Sequence, residues 1–157
     1  MKQIVFDVDV GLPVVPLGAQ WENSVFGKAA CDCLPPRYRR FNSALAEVLT
    51  LRVQREDQKW DPDQPFTDYG QKLFSAVKNH LPEHGHLLRL FSGIGLSLDI
   101  HHGIDGVFSW RSQQAFIDLT LNYTKEAKNS HIILVRPDDD IDTLSLQIAE
   151  RLKLRSL

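Results

Sequence analysis

The clearest periodic stretch of the chain runs from Ala115 to Asn122. There Ile117, Leu119 and Leu121 fall on one side of an extended backbone, and Phe116, Asp118, Thr120 and Asn122 fall on the other. Period two over that length predicts a strand. Ile104 to Trp110 is apolar and aromatic enough for another strand, with Arg111, Ser112, Gln113 and Gln114 as the polar turn between the two. With the residues from Ser97 to His102 included, the region 97–122 reads as three short strands in close succession. Asp105 opens one of these strands and Asp118 lies in the middle of the next. A short return between them brings both carboxylates to one sheet end, an arrangement of oxygens that suits a hard divalent cation.

The flanking elements follow from the same patterns. Lys2 to Val10 alternates, with Ile4, Phe6, Val8 and Val10 on one face, which predicts a half-buried strand. Gly11 to Pro36 carries Pro13, Pro16, Gly18, Gly27, Pro35 and Pro36, so it is expected to be mostly irregular, pinned to the body by Trp21, Val25 and Phe26. Asn42 or Ser43 caps a helix running to about Arg55, with Leu45, Val48 and Leu49 on one stripe. After a polar loop from Glu56 to Pro65, Thr67 or Asp68 caps a second helix whose inner stripe is Leu73, Phe74, Val77 and Leu81. Leu87 to Phe91 and Ile132 to Val135 are apolar runs of strand length. A final helix from about Thr143 buries Leu144, Ile148 and Leu152, and the acids at 138–140 and 142 suit its N-terminal dipole.

Composition narrows the class. At 157 residues and 43% hydrophobic, the chain can bury one sizeable core, so a single domain over 1–157 is expected, with 1–66 as an N-terminal strand, irregular segment and helix, and 67–157 as the main body. A formal net charge of −2 excludes a basic field over the whole molecule, so phosphate binding requires a local patch. Arg37, Arg39 and Arg40 interleave with Tyr38 and Phe41, a pattern that meets phosphates and stacked bases. Cys31 and Cys33, one residue apart, fit neither a disulfide framework nor a zinc pattern and read as free thiols. No basic leader precedes an apolar run and no apolar stretch is long enough to span a membrane, so a cytoplasmic location is the expectation.

Two family resemblances bear on function. His101 through Phe108 together with Phe116 through Thr120, an Asp opening one strand and an Asp within the next, resemble the core of the PD-(D/E)XK, or restriction-endonuclease-like, nuclease superfamily over roughly residues 68–152. The resemblance implies an α/β fold: a central mixed β-sheet flanked by helices, with an αβββαβ core behind an N-terminal extension. It implies a metal-dependent endonuclease-like domain hydrolysing DNA phosphodiesters, with Asp105 and Asp118 binding Mg2+ or Mn2+. A lysine is expected two residues after the second acid. Thr120 stands there, and Lys125, just past the strand, is the cation able to reach back. The catalytic candidates are therefore Asp105, Asp118, Lys125 and Thr120, the nucleic-acid contacts are Arg37, Arg39 and Arg40, and DNA is the partner; a symmetric homodimer would suit cutting two strands. A catalytically inactive, nucleic-acid or protein-binding module of the same fold is the alternative. A second resemblance, to haloacid dehalogenase-like phosphatases, rests on Asp7 and Asp9, with Ser92-Gly93, Lys125 or Lys128, and Asp138-Asp139 following in that family's order.

Overall fold

The computed structural model describes residues 5–6, 13–14, 17–28, 35–53, 55–56, 58–127 and 129–154, the first two pairs as backbone only. Asp7, Asp9, Cys31, Cys33 and Lys128 lie outside the described residues. Of the strand expected over Lys2 to Val10, the described part is β1 (Val5–Phe6), antiparallel to β2 (Pro13–Val14).

The body is a four-stranded mixed sheet. Its strands are β3 (Arg89–Ser92), β4 (Gly106–Trp110), β5 (Gln113–Leu119) and β6 (Ile132–Val135), side by side in that order. The first three are antiparallel neighbours and β6 runs parallel to β5. The turn between β4 and β5 is only Arg111 and Ser112, both at positive φ (48° and 65°), the paired left-handed geometry that matches the strand twist in a two-residue hairpin. Arg111 is further held over the Trp110 ring, 4.4 Å from its centroid, and by Glu83 at 3.3 Å.

Alternation along the strands divides the side chains between two cores. Leu90, Phe108, Trp110, Ala115, Ile117 and Leu119 face α1 (Leu17–Phe26), α3 (Asp68–Asn79) and α5 (Ile141–Lys153). Phe91, Val107 and Phe116 face the smaller layer of α2 (Phe41–Thr50) and α4 (Ser97–His102). Helix α3 starts where Thr67 Oγ1 accepts from Gly70 N at 3.0 Å and donates to Val25 O at 2.6 Å, so one hydroxyl caps α3 and ties it to α1. Asp140 caps α5 by accepting from Thr143 N at 3.0 Å, and Leu144, Ile148 and Leu152 are buried as their spacing requires.

Several expectations are corrected. The segment 97–102 is helix α4, not a strand; Gly103 at φ 70° terminates it, and its N–H bonds back to Asp99 O at 3.0 Å. The expected irregular segment 11–36 contains α1, because no proline falls between Pro16 and Pro35 and Trp21, Val25 and Phe26 form one buried stripe. The αβββαβ order called for a helix between the third and fourth main strands; residues 120–131 contain no helix among the described residues, and the extra helix is α4, between the first and second strands. Helix α2 begins at Phe41 with Arg40 as its N-cap and ends at Thr50 rather than near Arg55.

Helix α1 is seated by two contacts. Trp21 Nε1 donates to Val135 O at 3.2 Å, and the Phe26 ring lies so close over Gly106 that a Cβ there would come within 2.5 Å of it. Gly106→Ala is therefore expected to push α1 off the sheet and destabilise the fold by about 1–3 kcal/mol, a loss that urea unfolding would read.

Candidate active site

The strand register sets the frame. Ser92 pairs with Gly106 and Gly106 with Ile117, so the end of β3, the start of β4 and the later part of β5 lie in one row. Asp105, just before β4, and Asp118, within β5, are thereby brought to the same sheet end. Asp105 is 4% exposed and Asp118 8%. The backbone around Asp105 is fully engaged: its N–H donates to Ile117 O at 2.8 Å and its carbonyl accepts from Gly93 N at 2.8 Å. Its side chain takes the place of a ladder acceptor, Oδ2 accepting from Leu119 N at 2.7 Å.

Two further acids arrive from distant parts of the sequence. Glu22 on α1 lies one turn before Phe26 and so shares its inner face. Asp99 on α4 is fixed by Gly95 N, which donates to its Oδ2 at 2.8 Å. Glu22, Asp99 and Asp105 each offer an oxygen within 4.8 Å of the others. Asp118 stands beside this group rather than in it, which amends the expectation of a metal held between Asp105 and Asp118. Its carboxylate interacts with Asp105, but its Oδ2 takes Lys125 Nζ at 2.7 Å.

Burial is the main reason that the Asp105 carboxyl titrates far above the ordinary carboxylate range; the hydrogen bond and charge of Asp99, and then the charge of Asp118, push it the same way. The Leu119 N–H favours the ionised form and is outweighed. In the absence of another cation, Asp105 keeps its proton and gives it to Asp99 in a hydrogen bond. Arg55, 1% exposed, donates through Nη2 to Ser92 Oγ at the end of β3. Burial lowers its guanidinium to about 10 while the Asp99 charge opposes that shift, so it stays positive at neutral pH.

Lys125 reaches Asp118 because the chain turns sharply after β5. Thr120 Oγ1 accepts from Asn122 N at 3.0 Å, Asn122 Oδ1 accepts from Thr124 N at 3.0 Å, and Lys125 N donates to Asn122 O at 3.3 Å. Arg136, following β6, clamps this turn by donating through Nη2 to Asn122 O at 3.1 Å and to Lys125 O at 3.2 Å. The Thr120 hydroxyl thus builds the turn that presents the lysine. Among the described residues, no hydrogen bond links it to the acids.

Comparison with protein-family models, curated proteins and solved structures finds no match. The remaining candidates are placed as follows. Arg37, Arg39 and Arg40 lie on an exposed segment across α4, with Arg39 paired to Glu47 at 3.1 Å. His101 and His102 spend Nε2 on the carbonyls of Pro36 and Arg39, at 3.1 and 2.7 Å. Of the phosphatase-like set, Ser92 accepts from Arg55, Lys125 sits on Asp118 and Asp139 accepts from Arg136 N. Among the described residues, no helix is long and apolar enough to cross a membrane.

Proposed function

We propose that this chain is a metal-dependent, endonuclease-like domain that hydrolyses DNA phosphodiesters, built on a variant of the restriction-endonuclease-like core. The observation that carries the reading is the convergence of Glu22, Asp99, Asp105 and Asp118 at one sheet end with Lys125 on Asp118. Acid, acid and lysine are the set that the sequence resemblance implies, with the lysine supplied from the turn after β5 rather than from two residues along it. Three antiparallel strands followed by a parallel fourth, with helices on both faces, agree with such a core.

The donor chemistry fits a hard cation. Glu22, Asp99 and Asp105 offer carboxylate oxygens only, the set that Mg2+ or Mn2+ takes, and an acid with a strongly raised pKa is relieved by exchanging its proton for a metal. A bound ion would polarise the phosphate and lower the pKa of its water. The protein's own groups do the rest. The Lys125 ammonium, partly exposed, neutralises Asp118 and is the cation that would offset a phosphate's developing negative charge. Arg55 supplies fixed positive charge behind Asp99, and the Leu119 N–H keeps Asp105 oriented whether or not it carries its proton.

A binding module of the same fold is the second reading, favoured by Thr120 at the position where the lysine is expected. Incubating supercoiled plasmid and single-stranded DNA with the parent protein and Mg2+ or Mn2+ decides between them. Cleavage by the parent, with Glu22→Gln at least about 100-fold slower, is the expected result. A parent that binds DNA and cuts neither substrate would establish the binding module.

A further inference from the structure

The segment Pro36 to Arg40 has no regular structure before α2 begins at Phe41, yet it is fastened along its length to α4. His101 Nε2 donates to Pro36 O at 3.1 Å, His102 Nε2 to Arg39 O at 2.7 Å, and Arg39 N donates to the Oγ of fully buried Ser97 at 3.0 Å. This anchoring holds two aromatic rings at the surface, Tyr38, 65% exposed, and Phe41, 36% exposed. The Tyr38 ring meets His101 at 5.5 Å and His102 at 5.7 Å, and Phe41 meets His102 at 5.8 Å and Phe116 at 5.6 Å. Around them stand Arg37, Arg39 and Arg40. Among the described residues, only Arg39 of the three is in an ion pair.

We infer that the Pro36 to Phe41 segment and the histidine side of α4 form a docking site for single-stranded DNA, delivering it to the acid cluster. An aromatic ring fixed in the open among free cations suits an unpaired base on its face and phosphates on the guanidinium groups. Stacking of that kind requires a base that is not already stacked within a duplex. A duplex also calls for a broad basic field, and the chain as a whole has a net charge of −2. The histidines and the rings are held before any ligand arrives, so little ordering entropy opposes binding. Position supplies the link to chemistry: His102 lies three residues after Asp99 on α4, a spacing at which side chains are neighbours on a helix surface. The docking site therefore adjoins the carboxylates. The inference rests on the proposed nuclease reading only for that last, directional part.

The test is fluorescence anisotropy with labelled oligothymidine and a duplex of equal length, in EDTA so that neither metal nor cleavage enters. The parent is expected to bind the single strand at least about 10-fold more tightly than the duplex. Tyr38→Ala should lose about 10-fold or more of single-strand affinity, and Tyr38→Phe, which keeps the stacking face, should stay within about twofold of the parent. Replacing Arg37 and Arg40 together by glutamine should flatten the dependence of log K on log salt by about 1 to 2. Equal affinity for single strand and duplex, or a Tyr38→Ala protein that binds like the parent, overturns the inference. These outcomes are separable from failure of the nuclease reading. A protein that binds oligothymidine through Tyr38 but never cuts DNA supports the docking site and refutes the enzyme; one that cuts DNA with Tyr38→Ala bound unchanged does the reverse.

Discussion

Replacing Asp105 by asparagine is expected to make the metal-free protein more stable while abolishing the proposed metal-dependent cleavage of DNA. Asparagine keeps an oxygen to accept from Leu119 N, and its amide can donate to Asp99 as the protonated acid does. The sign of the pH effect follows from the raised pKa of Asp105. Above about pH 4 the unfolded carboxyl has lost its proton while the folded one retains it, so the native state binds more protons and stability falls as pH rises, by at most about 1.4 kcal/mol per pH unit from this group. Asp105→Asn should abolish that decline. Its advantage over the parent is therefore small near pH 5 and grows to roughly 1–3 kcal/mol by pH 8, a few degrees in Tm. Thermal melts of both proteins across that range in EDTA, paired with plasmid cleavage in Mg2+, would check both halves. A parent whose stability does not fall with pH relative to Asp105→Asn would refute the assignment of the buried proton.

Lys125→Ala is expected to separate activity from stability. The lysine side chain is 37% exposed, which screens the pair, but Asp118 is buried, so the loss of Lys125 should cost about 1–3 kcal/mol of folding stability. Removing a positioned positive charge from the site of charge development should cost about 100-fold or more in cleavage rate. Lys125→Arg should retain part of the rate. Arg136→Gln, which loosens the turn at Asn122 and Lys125 without removing the ammonium, should fall between the parent and the alanine variant. Single-turnover cleavage with saturating Mg2+ measures all four proteins, and equal rates for parent and Lys125→Ala would exclude the lysine from the reaction.

The parts of this site that could be read from sequence are those encoded locally. Period two in β5 placed Asp118 opposite the side chains of Ile117 and Leu119, and its short return from β4 set Asp105 at the same sheet end. Capping and stripe patterns likewise located α3 and α5. Helix α4 was obscured because Leu96, Leu98 and Ile100 alternate as a strand would over so short a run; the contrary signal was Gly103, whose left-handed conformation ends the helix. The prolines and glycines of 11–36 mask helix α1, whose helical signal is the stripe of Trp21, Val25 and Phe26. Glu22 beside that stripe was an acid on a buried face, and that was the available sign of a site residue. Asp99 and Arg55 had no such sign, since tertiary packing, not any local spacing, brings them to Asp105 and Ser92.

The proposed chemistry depends above all on one divalent cation shared by Glu22, Asp99 and Asp105. Isothermal titration calorimetry with manganese chloride, on the parent and on Glu22→Gln at pH 6 and pH 8, measures it. The expected result is one ion per chain for the parent, bound more tightly at pH 8 because Asp105 must release its proton, and at least about 10-fold weaker binding by Glu22→Gln. No binding heat from the parent, or the same affinity and stoichiometry in both proteins, would contradict it.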